Sequence, residues 1–153
     1  MWSISLYKGT LSHENFVRER RGVLQLLKPH HAWYQNDEDE RPGSLIRVLG
    51  GTSGNDVNKR LHCEKMGYAW NELDNSDEKW PSVLPGCLYY LQVEAEGEMI
   101  DCGSHVVALC RVIAMLADDS VKDAAMELDF LSTRKLRQMG IISEFGRIAE
   151  STC

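Results

Sequence analysis

The sequence predicts an α+β domain built around a mainly antiparallel sheet. Residues Cys87 to Ala95 alternate between apolar and polar side chains, which is typical of a strand with one buried face. In this strand Gln92 and Glu94 are expected on the polar face, and Glu96 to Glu98 mark its polar end. Residues Val106 to Leu116 are apolar on nearly both faces, which predicts a central strand covered on both sides.

The length and composition fit one globular domain, residues 1–153, that can bury a core without disulfides or a structural metal. Hydrophobic residues make up 43% of the chain and charged residues 26%, which argues against a disordered or fibrous protein. The net charge of -6, with no basic stripe, argues against a nucleic acid partner. No stretch approaches the about 20 apolar residues of a membrane span, and no signal peptide is evident, so we expect an intracellular, cytoplasmic protein without a membrane partner.

The cysteine pattern argues against both a disulfide framework and a metal site. There are five cysteines, an odd number, and none form a C-x-x-C pair. We therefore expect no metal and free thiols in a reducing compartment. The cysteines are Cys63, Cys87, Cys102, Cys110 and Cys153.

The N-terminal segment is predicted to form a strand, a helix and a second strand. Trp2 to Tyr7 carry serines at alternate positions, which predicts a strand with one buried face. Ser12 is the predicted N-cap of a short helix whose apolar side includes Phe16, and Gly22 is expected to stop it. Val23 to Leu27 then predict a second strand.

Two helices and a loop are expected before the predicted pair of long strands. Pro42 to Gly51 carry apolar residues on a helical period between a proline and a glycine pair. Ser53 or Asn55 can cap a second helix through Val57 to Cys63. Tyr68 to Pro81 show no period and are expected to form a loop.

Three further segments complete the outline of the chain. Gln35 to Arg41 are polar and acidic and predict a surface loop. Val121 to Leu128 are amphipathic. Ser132 or Thr133 can cap a last helix that ends at Gly140.

His105 is the candidate catalytic residue. It follows Gly103 by two residues, where an acidic turn passes into the apolar strand. An imidazole at this place could donate a hydrogen bond to a carbonyl or a nicotinamide amide, or transfer a proton near pH 7. The commoner role of such a residue is structural, as a histidine that satisfies the start of a strand.

The turn from the first strand to the first helix is the candidate phosphate site. Lys8, Gly9, Thr10 and Ser12 place a cation, a glycine and two hydroxyls at a helix N-terminus, where free N–H groups and the helix dipole favour an anion. Most capped turns of this kind bind nothing, so a structural role stays open. Gly50 to Gly54 lack the G-K-[ST] ending of a nucleotide-binding loop and are interpreted as a structural turn.

Four motifs, in order along the chain, resemble the flavin reductase-like, FMN-binding split-barrel family. Lys8 to Glu14 resemble the turn after the family's early core strand, and Leu49 to Lys59 are similar to its LGG-x-SG-x-DV-x-K stretch. Leu84 to Leu91, followed by Asp101 to Val107, resemble the family's hairpin, whose second strand commonly opens with Gly-Asp-His. Leu136 to Arg147 are similar to a C-terminal LRELGIIT-x-x-GR segment.

The resemblance implies a split β-barrel of six antiparallel strands with peripheral helices, and a homodimer that holds FMN near the subunit interface. It implies hydride transfer from NADH or NADPH to the flavin. Carried over to this chain, it places Lys8, Thr10 and Ser12 close to the FMN phosphate and His105 near the isoalloxazine and the nicotinamide.

The chain departs from the family pattern in two places. Ser104 stands where the family commonly has Asp. Met1 to Ser3 align after two strands and a Thr/Ser-rich segment that family members ordinarily have, so an N-terminally shortened domain is expected. Two functions follow: an FMN-binding flavin reductase-like oxidoreductase, or a degenerate split barrel that acts as a non-catalytic dimerisation or partner-binding module.

Overall fold

The computed structural model describes residues 1–28, 44–73, 80–117, 130–145 and 147–148, and the account below concerns these residues. They contain four strands and four helices, which confirms the α+β class. The elements are β1 (Trp2–Tyr7), α1 (Leu11–Glu19), β2 (Arg21–Leu27), α2 (Ser44–Gly51), α3 (Lys59–Lys65), β3 (Cys87–Cys102), β4 (His105–Ala117) and α4 (Thr133–Gln138). The loop expected at 35–41 and the amphipathic stretch at 121–128 lie outside the described residues.

The four strands form one curled antiparallel sheet, a half-barrel, in the order β1-β4-β3-β2. Tyr7 pairs with His105 at one end of β1, and Leu24 of β2 pairs with Leu91 of β3. β4 is therefore central in the sheet, as predicted. The described residues supply four strands, whereas the family resemblance implied six.

β3 runs seven residues beyond Ala95, so the expected end at Glu96 to Glu98 is wrong. The pairing with β4 shifts register between Glu96 and Ile100, and Gly97 has a φ of 63°. Such a bulge absorbs the extra residues without ending the strand, and glycine tolerates the left-handed conformation that it needs. The strand ends at a tight turn where Gly103 has a φ of 74°.

The inner face of the half-barrel holds the main core. Leu91 and Val93 of β3 pack there with Ala108 and Cys110 of β4, and Phe16 of α1 closes the cluster. The other face of β4 is exposed at Leu109 and Arg111, so the expectation of a strand covered on both sides is wrong. α1 covers one face of the sheet only, and no described element covers the β1–β4 half of the other face.

Gln92 is only 4% exposed, against the expectation of a polar, solvent-facing position. On β2 and β3 it lies on the side of the sheet opposite the main core, together with Gln25. The Gln25 Oε1 accepts a hydrogen bond of 2.8 Å from the Leu84 N–H. The segment before β3 therefore covers the β2–β3 half of that side of the sheet. Behind it Leu45 of α2 and Cys63 of α3 form a second buried cluster with Leu84.

The N-cap of α1 is Thr10, so the prediction of Ser12 is wrong. The Thr10 hydroxyl accepts from the His13 N–H at 3.3 Å and donates to the Tyr7 carbonyl at 2.8 Å. The helix ends at Arg20, whose φ of 60° is left-handed and whose N–H bonds to the Phe16 carbonyl. Gly22, the expected stop, lies in β2 instead.

The N-cap of α3 is Asn58, so neither Ser53 nor Asn55 caps it as predicted. The Asn58 side chain accepts from the Leu61 N–H at 3.0 Å. The Asn55 N–H bonds to the Ser53 hydroxyl at 3.2 Å, which ties the loop before the helix into a turn. α4 begins after Ser132, which is one of its two predicted caps.

The four described cysteines are free thiols, which agrees with the expectation from the sequence, and Cys153 lies outside the described residues. Within the described ranges, no helix is both long and apolar enough to span a membrane. The same residues contain no group of three or more side chains arranged to hold a metal ion.

Candidate functional site

A cleft of about 920 Å³ lies between the N-terminal end of α1 and the loop that joins α2 to α3. Its volume is within the usual range of small-molecule and cofactor sites, about 300 to 1,000 Å³. The lining residues are Thr10, Leu11, Ser12, Asn15, Gly50, Thr52, Ser53, Gly54, Asn55, Asp56, Val57, Asn58, Lys59, Arg60, Trp70, Pro81 and Ser82.

The two walls of the cleft touch each other at Gly54. A Cβ built on Gly54 would lie 2.9 Å from Leu11 Cδ2 and 3.2 Å from Leu11 Cβ, so only glycine fits without displacement. The Asn55 amide nitrogen lies 3.5 Å from the Gly9 carbonyl oxygen. The loop after α2 is therefore packed directly on the turn that precedes α1.

The lining of the cleft is rich in groups that hydrogen-bond neutral and anionic ligands. Both walls contribute hydroxyls and carboxamides, and Trp70 adds an aromatic ring. Lys59 and Arg60 are its two cations. Arg60 forms an exposed ion pair with Glu64 at 3.0 Å, whereas the Lys59 ammonium donates to the Leu49 carbonyl at 2.5 Å.

Lys59, Cys63 and Trp70 are electrostatically coupled. Burial lowers the pKa of Lys59, and the neighbouring Cys63 partly opposes this change. Burial raises the pKa of the Cys63 thiol, while the adjacent Trp70 side chain and the charge of Lys59 act in the opposite direction. Cys63 is fully buried, so Lys59 and Trp70 form the surface that a ligand would meet.

The structure divides the predicted phosphate-binding residues between two places. Thr10 and Ser12 line the cleft, but the Thr10 hydroxyl is engaged in the cap of α1. Lys8 does not line the cleft, because its ammonium pairs with the Asp101 carboxylate at 2.6 Å. Gly9 has a φ of 77°, which a glycine adopts without strain.

His105 lies at the end of the sheet beside the Lys8 turn, outside the cleft lining. Its ring meets the Tyr7 ring edge-on, with centroids 4.9 Å apart, and its Nδ1 lies 2.9 Å from the Ser104 hydroxyl. The Lys8 N–H donates to the Ser104 carbonyl at 2.9 Å. One turn, residues 8–10, thus connects the half-buried His105 to the cleft.

Asp101 anchors the same end of the sheet. Its carboxylate accepts from Lys8 and, at 2.9 Å, from the Gly103 N–H. The hydrogen bond from Lys8 is the main cause that holds the pKa of Asp101 below its ordinary value, with Gly103 and the lysine charge adding to it. The hairpin and the Lys8 turn are held together by these contacts.

The sequence reasoning missed several residues that the structure brings into the cleft. Asn15, Asn58, Trp70 and Ser82 come from four separate parts of the chain. The Gly50 to Gly54 turn was interpreted as structural, yet most of it lines the cleft. The resemblance of Leu49 to Lys59 to a family motif was a signal for this loop, but it was used only to identify the fold.

A second surface is formed by the side of the sheet that faces away from the main core. We call it the outer face; Tyr7, Val107 and Leu109 share it by register with Ile100. Leu109 is 40% exposed and Ile100 54%. Beside them Arg111 pairs with Glu96 at 3.4 Å and with Glu94 at 3.6 Å.

No protein-family model and no curated protein sequence matches the chain. Solved structures do match it. An FMN-binding protein from Thermus thermophilus with bound p-hydroxybenzaldehyde is 16% identical, with a TM-score of 0.54 over 77% of this chain and 55% of that one. Flavoredoxin from Methanosarcina acetivorans is 10% identical, with a TM-score of 0.56 over 76% of this chain and 52% of that one.

A third match is an FMN-binding domain of a flavin reductases-like enzyme from Shewanella baltica. It is 21% identical, with a TM-score of 0.52 over 78% of this chain and 54% of that one. The chain thus spans about half the length of these structures. They share its curled antiparallel sheet, so the split-barrel fold that the sequence motifs predicted is confirmed.

Proposed function

We propose that the chain binds FMN in the cleft between α1 and the α2–α3 loop, and that it is a flavin reductase-like oxidoreductase. The observation that carries the proposal is the cleft itself, a large site lined with hydroxyls, carboxamides, two cations and an indole. It occurs in a fold shared with FMN-binding proteins. Fold alone does not establish function, so the chemistry of the site has to support the ligand.

The groups in the cleft fit a phosphorylated, aromatic heterocycle. Cations and N–H donors at a helix N-terminus suit a phosphate, and the hydroxyls and amides suit a polyol chain. The Trp70 ring offers an apolar surface for a planar ring system. The volume of about 920 Å³ leaves room for a ligand of this size.

The turn before α1 is the proposed phosphate end of the site. Ser12 lines the cleft in the first turn of α1, and Thr10 holds that turn in place through its cap. Gly9 and Lys8 precede it, and their backbone positions are fixed by Asn55 and by the hairpin. Ser12 and the backbone of this turn would orient the phosphate, while Lys8 holds the turn to the hairpin.

His105 is the proposed catalytic residue. When bound, FMN supplies the hydride-accepting chemistry, with NADH or NADPH as the reductant. The contacts with Tyr7 and the Ser104 hydroxyl restrain the imidazole ring through one edge and through Nδ1. Nε2 has no hydrogen-bond partner among the described residues, and it can hold or donate a proton to a nicotinamide amide or carbonyl.

The test is to add FMN to the purified chain and record absorbance, flavin fluorescence and the thermal unfolding midpoint. We expect saturable fluorescence quenching, a raised midpoint, and NADH or NADPH oxidation that depends on FMN. His105→Ala should keep FMN binding and lose most of the oxidation. A wild-type chain that neither quenches FMN fluorescence nor shifts its midpoint would exclude the proposal.

The outer face is the proposed homodimer interface, and it also supports the second candidate function. Leu109, Val107 and Ile100 form an apolar stripe on one face of the sheet, and Leu109 and Ile100 are exposed, which is typical of an interaction surface. If the chain pairs through this stripe without binding flavin, it is a non-catalytic dimerisation or partner-binding module. Flavin binding by the dimer would favour the enzyme.

A single charge on the outer face tests the interface. Leu109→Glu should convert a dimer to a monomer in light scattering coupled to size-exclusion chromatography, because it places a carboxylate beside Glu96 in the apolar stripe. Val17→Glu is the matched control, since Val17 is 46% exposed on α1. A wild-type monomer at all concentrations would argue against the interface and against a dimerisation module.

A further inference from the structure

Lys8 adjoins the cleft and Lys59 lines it, and the two lysines differ in their partners. Lys8, the cation that the sequence pointed to, already has a carboxylate partner in Asp101 at 2.6 Å. Lys59 lines the cleft and has no ion-pair partner within the described residues. The charge available to a ligand in the cleft therefore comes from α3.

The donor count of Lys59 leaves room for an anion. An ammonium group has three N–H donors, and one of them goes to the Leu49 carbonyl at 2.5 Å. The amine is partly buried, so the remaining donors are only partly hydrated. A desolvated ammonium without a counterion is unfavourable, and an anionic ligand relieves this cost.

Arg60 is less suited to the same role. Its guanidinium is mostly exposed and pairs with Glu64 one turn along α3. An exposed ion pair of this kind is hydrated and screened, so it adds little to ligand recognition. Asp56 also lines the cleft and works against an anion, which makes a nearby uncompensated cation more important.

We propose that Lys59 supplies the positive charge that recognises the phosphate of FMN, and that it determines the preference for FMN over riboflavin. The inference rests on the proposed function and adds a residue to it. Lys8, in contrast, is a structural cation that joins the β1–α1 turn to the hairpin through Asp101. The bond from Lys59 to Leu49 positions the ammonium at the end of α2.

The experiment compares FMN with riboflavin, which differ by the phosphate. Dissociation constants are measured by fluorescence quenching for the wild type and for Lys59→Met, Lys59→Arg and Lys8→Met. Lys59→Met should weaken FMN about 10-fold or more, as expected for a lost charged hydrogen bond, and should change riboflavin by less than about twofold. Lys59→Arg should retain most of the preference for FMN, and Lys8→Met should leave the ratio of the two constants near the wild-type value.

Each outcome decides a separate point. Equal losses for FMN and riboflavin in Lys59→Met would show that Lys59 only holds α2 to α3, and would overturn the inference while flavin binding stands. A lost preference in Lys8→Met, with Lys59→Met unchanged, would overturn it in favour of Lys8. A wild type that binds neither flavin would instead overturn the proposed function.

A labelling experiment on the wild type removes any dependence on a variant that folds poorly. Acetic anhydride acetylates accessible amines, and peptide mass spectrometry reports each lysine. FMN should protect Lys59 at least about threefold more than riboflavin does, because a bound phosphate covers the amine. Exposed Lys65 on the same helix is the internal control. Equal protection by the two flavins would contradict the role of Lys59 at the phosphate.

Discussion

The Lys8 ammonium lies 2.6 Å from Oδ2 of Asp101, and this ion pair joins the end of β1 to the end of β3. Asp101 also accepts from the Gly103 N–H at 2.9 Å, so its carboxylate holds the hairpin turn as well. Lys8 is thus part of the architecture around His105. The cleft beside this turn is lined by a different lysine, Lys59.

The pKa of Asp101 should rise toward its ordinary value in Lys8→Met. The hydrogen bond from Lys8 is the main cause of the lowered pKa, and the Gly103 bond should keep part of the effect. A pKa that is lowered by folding stabilises the native state above the unfolded-state pKa, and this contribution is lost as pH falls through the folded value. Carboxyl carbon NMR during an acid titration measures the shift; an unchanged Asp101 pKa in Lys8→Met would contradict the ion pair.

The affinity for FMN should fall as pH rises from about 7.5 to 10, and the affinity for riboflavin should change much less. Burial lowers the pKa of free Lys59, and a bound phosphate would raise it, so binding takes up a proton. The phosphate is dianionic across this range, since its second pKa is about 6. Cys63 has a raised pKa and faces Lys59 from the same helix, and Asp56 and Arg60 are the other charged groups that line the cleft.

Fluorescence titrations at several pH values give both dissociation constants, and Lys59→Met is the control. The isoalloxazine is the same in both ligands, so its titration cancels in their ratio. The ratio should be nearly independent of pH in Lys59→Met. A wild-type ratio that stays constant with pH would show that Lys59 does not titrate against the phosphate.

Thr10→Ala should destabilise the protein by about 1 kcal/mol, the usual cost of removing an N-cap. The Thr10 hydroxyl bonds both to the His13 N–H and to the Tyr7 carbonyl, so its loss also loosens the turn beside the cleft. Ser12→Ala is the control, because Ser12 is in the first turn of α1 and caps nothing. Urea denaturation measures both variants; equal effects would contradict the assignment of Thr10 as the cap.

Local patterns predicted most of the fold because strands and helices leave short-range signals. Apolar alternation located β1 and the start of β3, and an apolar run interrupted only by Arg111 located β4. Caps were harder to predict, since Thr10 and Ser12 have the same chemistry. The hydrogen bond from Thr10 back to Tyr7 decides between them, and that bond depends on the turn already being formed.

Tertiary context explains the remaining errors. The bulge near Gly97 lets β3 continue through an acidic segment where the sequence predicted the end of the strand. Gln92 is buried because the segment before β3 folds back over its face. The cleft combines residues such as Asn15, Lys59 and Ser82, which lie far apart along the chain. For the wall formed by the loop between α2 and α3, the only signal in the sequence was the resemblance of Leu49 to Lys59 to a family motif.

Cys102 should react with a thiol reagent much faster than Cys63, Cys87 or Cys110 in the native protein. Cys102 is exposed at the end of β3, whereas the other three are buried. Burial also raises the pKa of Cys63 and Cys110, which lowers the fraction of reactive thiolate. Iodoacetamide labelling followed by peptide mass spectrometry resolves each site, and labelling in urea gives the reference rate. Rapid labelling of Cys63 without denaturant would contradict its burial.

Gly54→Ala should destabilise the protein by about 1 to 2 kcal/mol and weaken FMN binding. The new methyl would lie 2.9 Å from Leu11 Cδ2 and 3.2 Å from Leu11 Cβ, and overpacking of this size displaces the backbone. The displaced wall carries Ser53 and Asn55, so the cleft should change shape as well. Gly50→Ala is the control: its Cβ would meet Ile148 at 3.4 Å, an ordinary contact, and alanine favours the helix.

A double variant separates the steric contact from other effects of the alanine. In Gly54→Ala with Leu11→Ala the clash with Cδ2 is gone, so the second substitution should recover part of the stability lost by the first. The coupling between the two sites should be about 0.5 kcal/mol or more, as is usual for residues in contact. Additive free energies of unfolding in urea would show that the loop and α1 do not meet at Gly54, and the two walls of the cleft would then be mechanically independent.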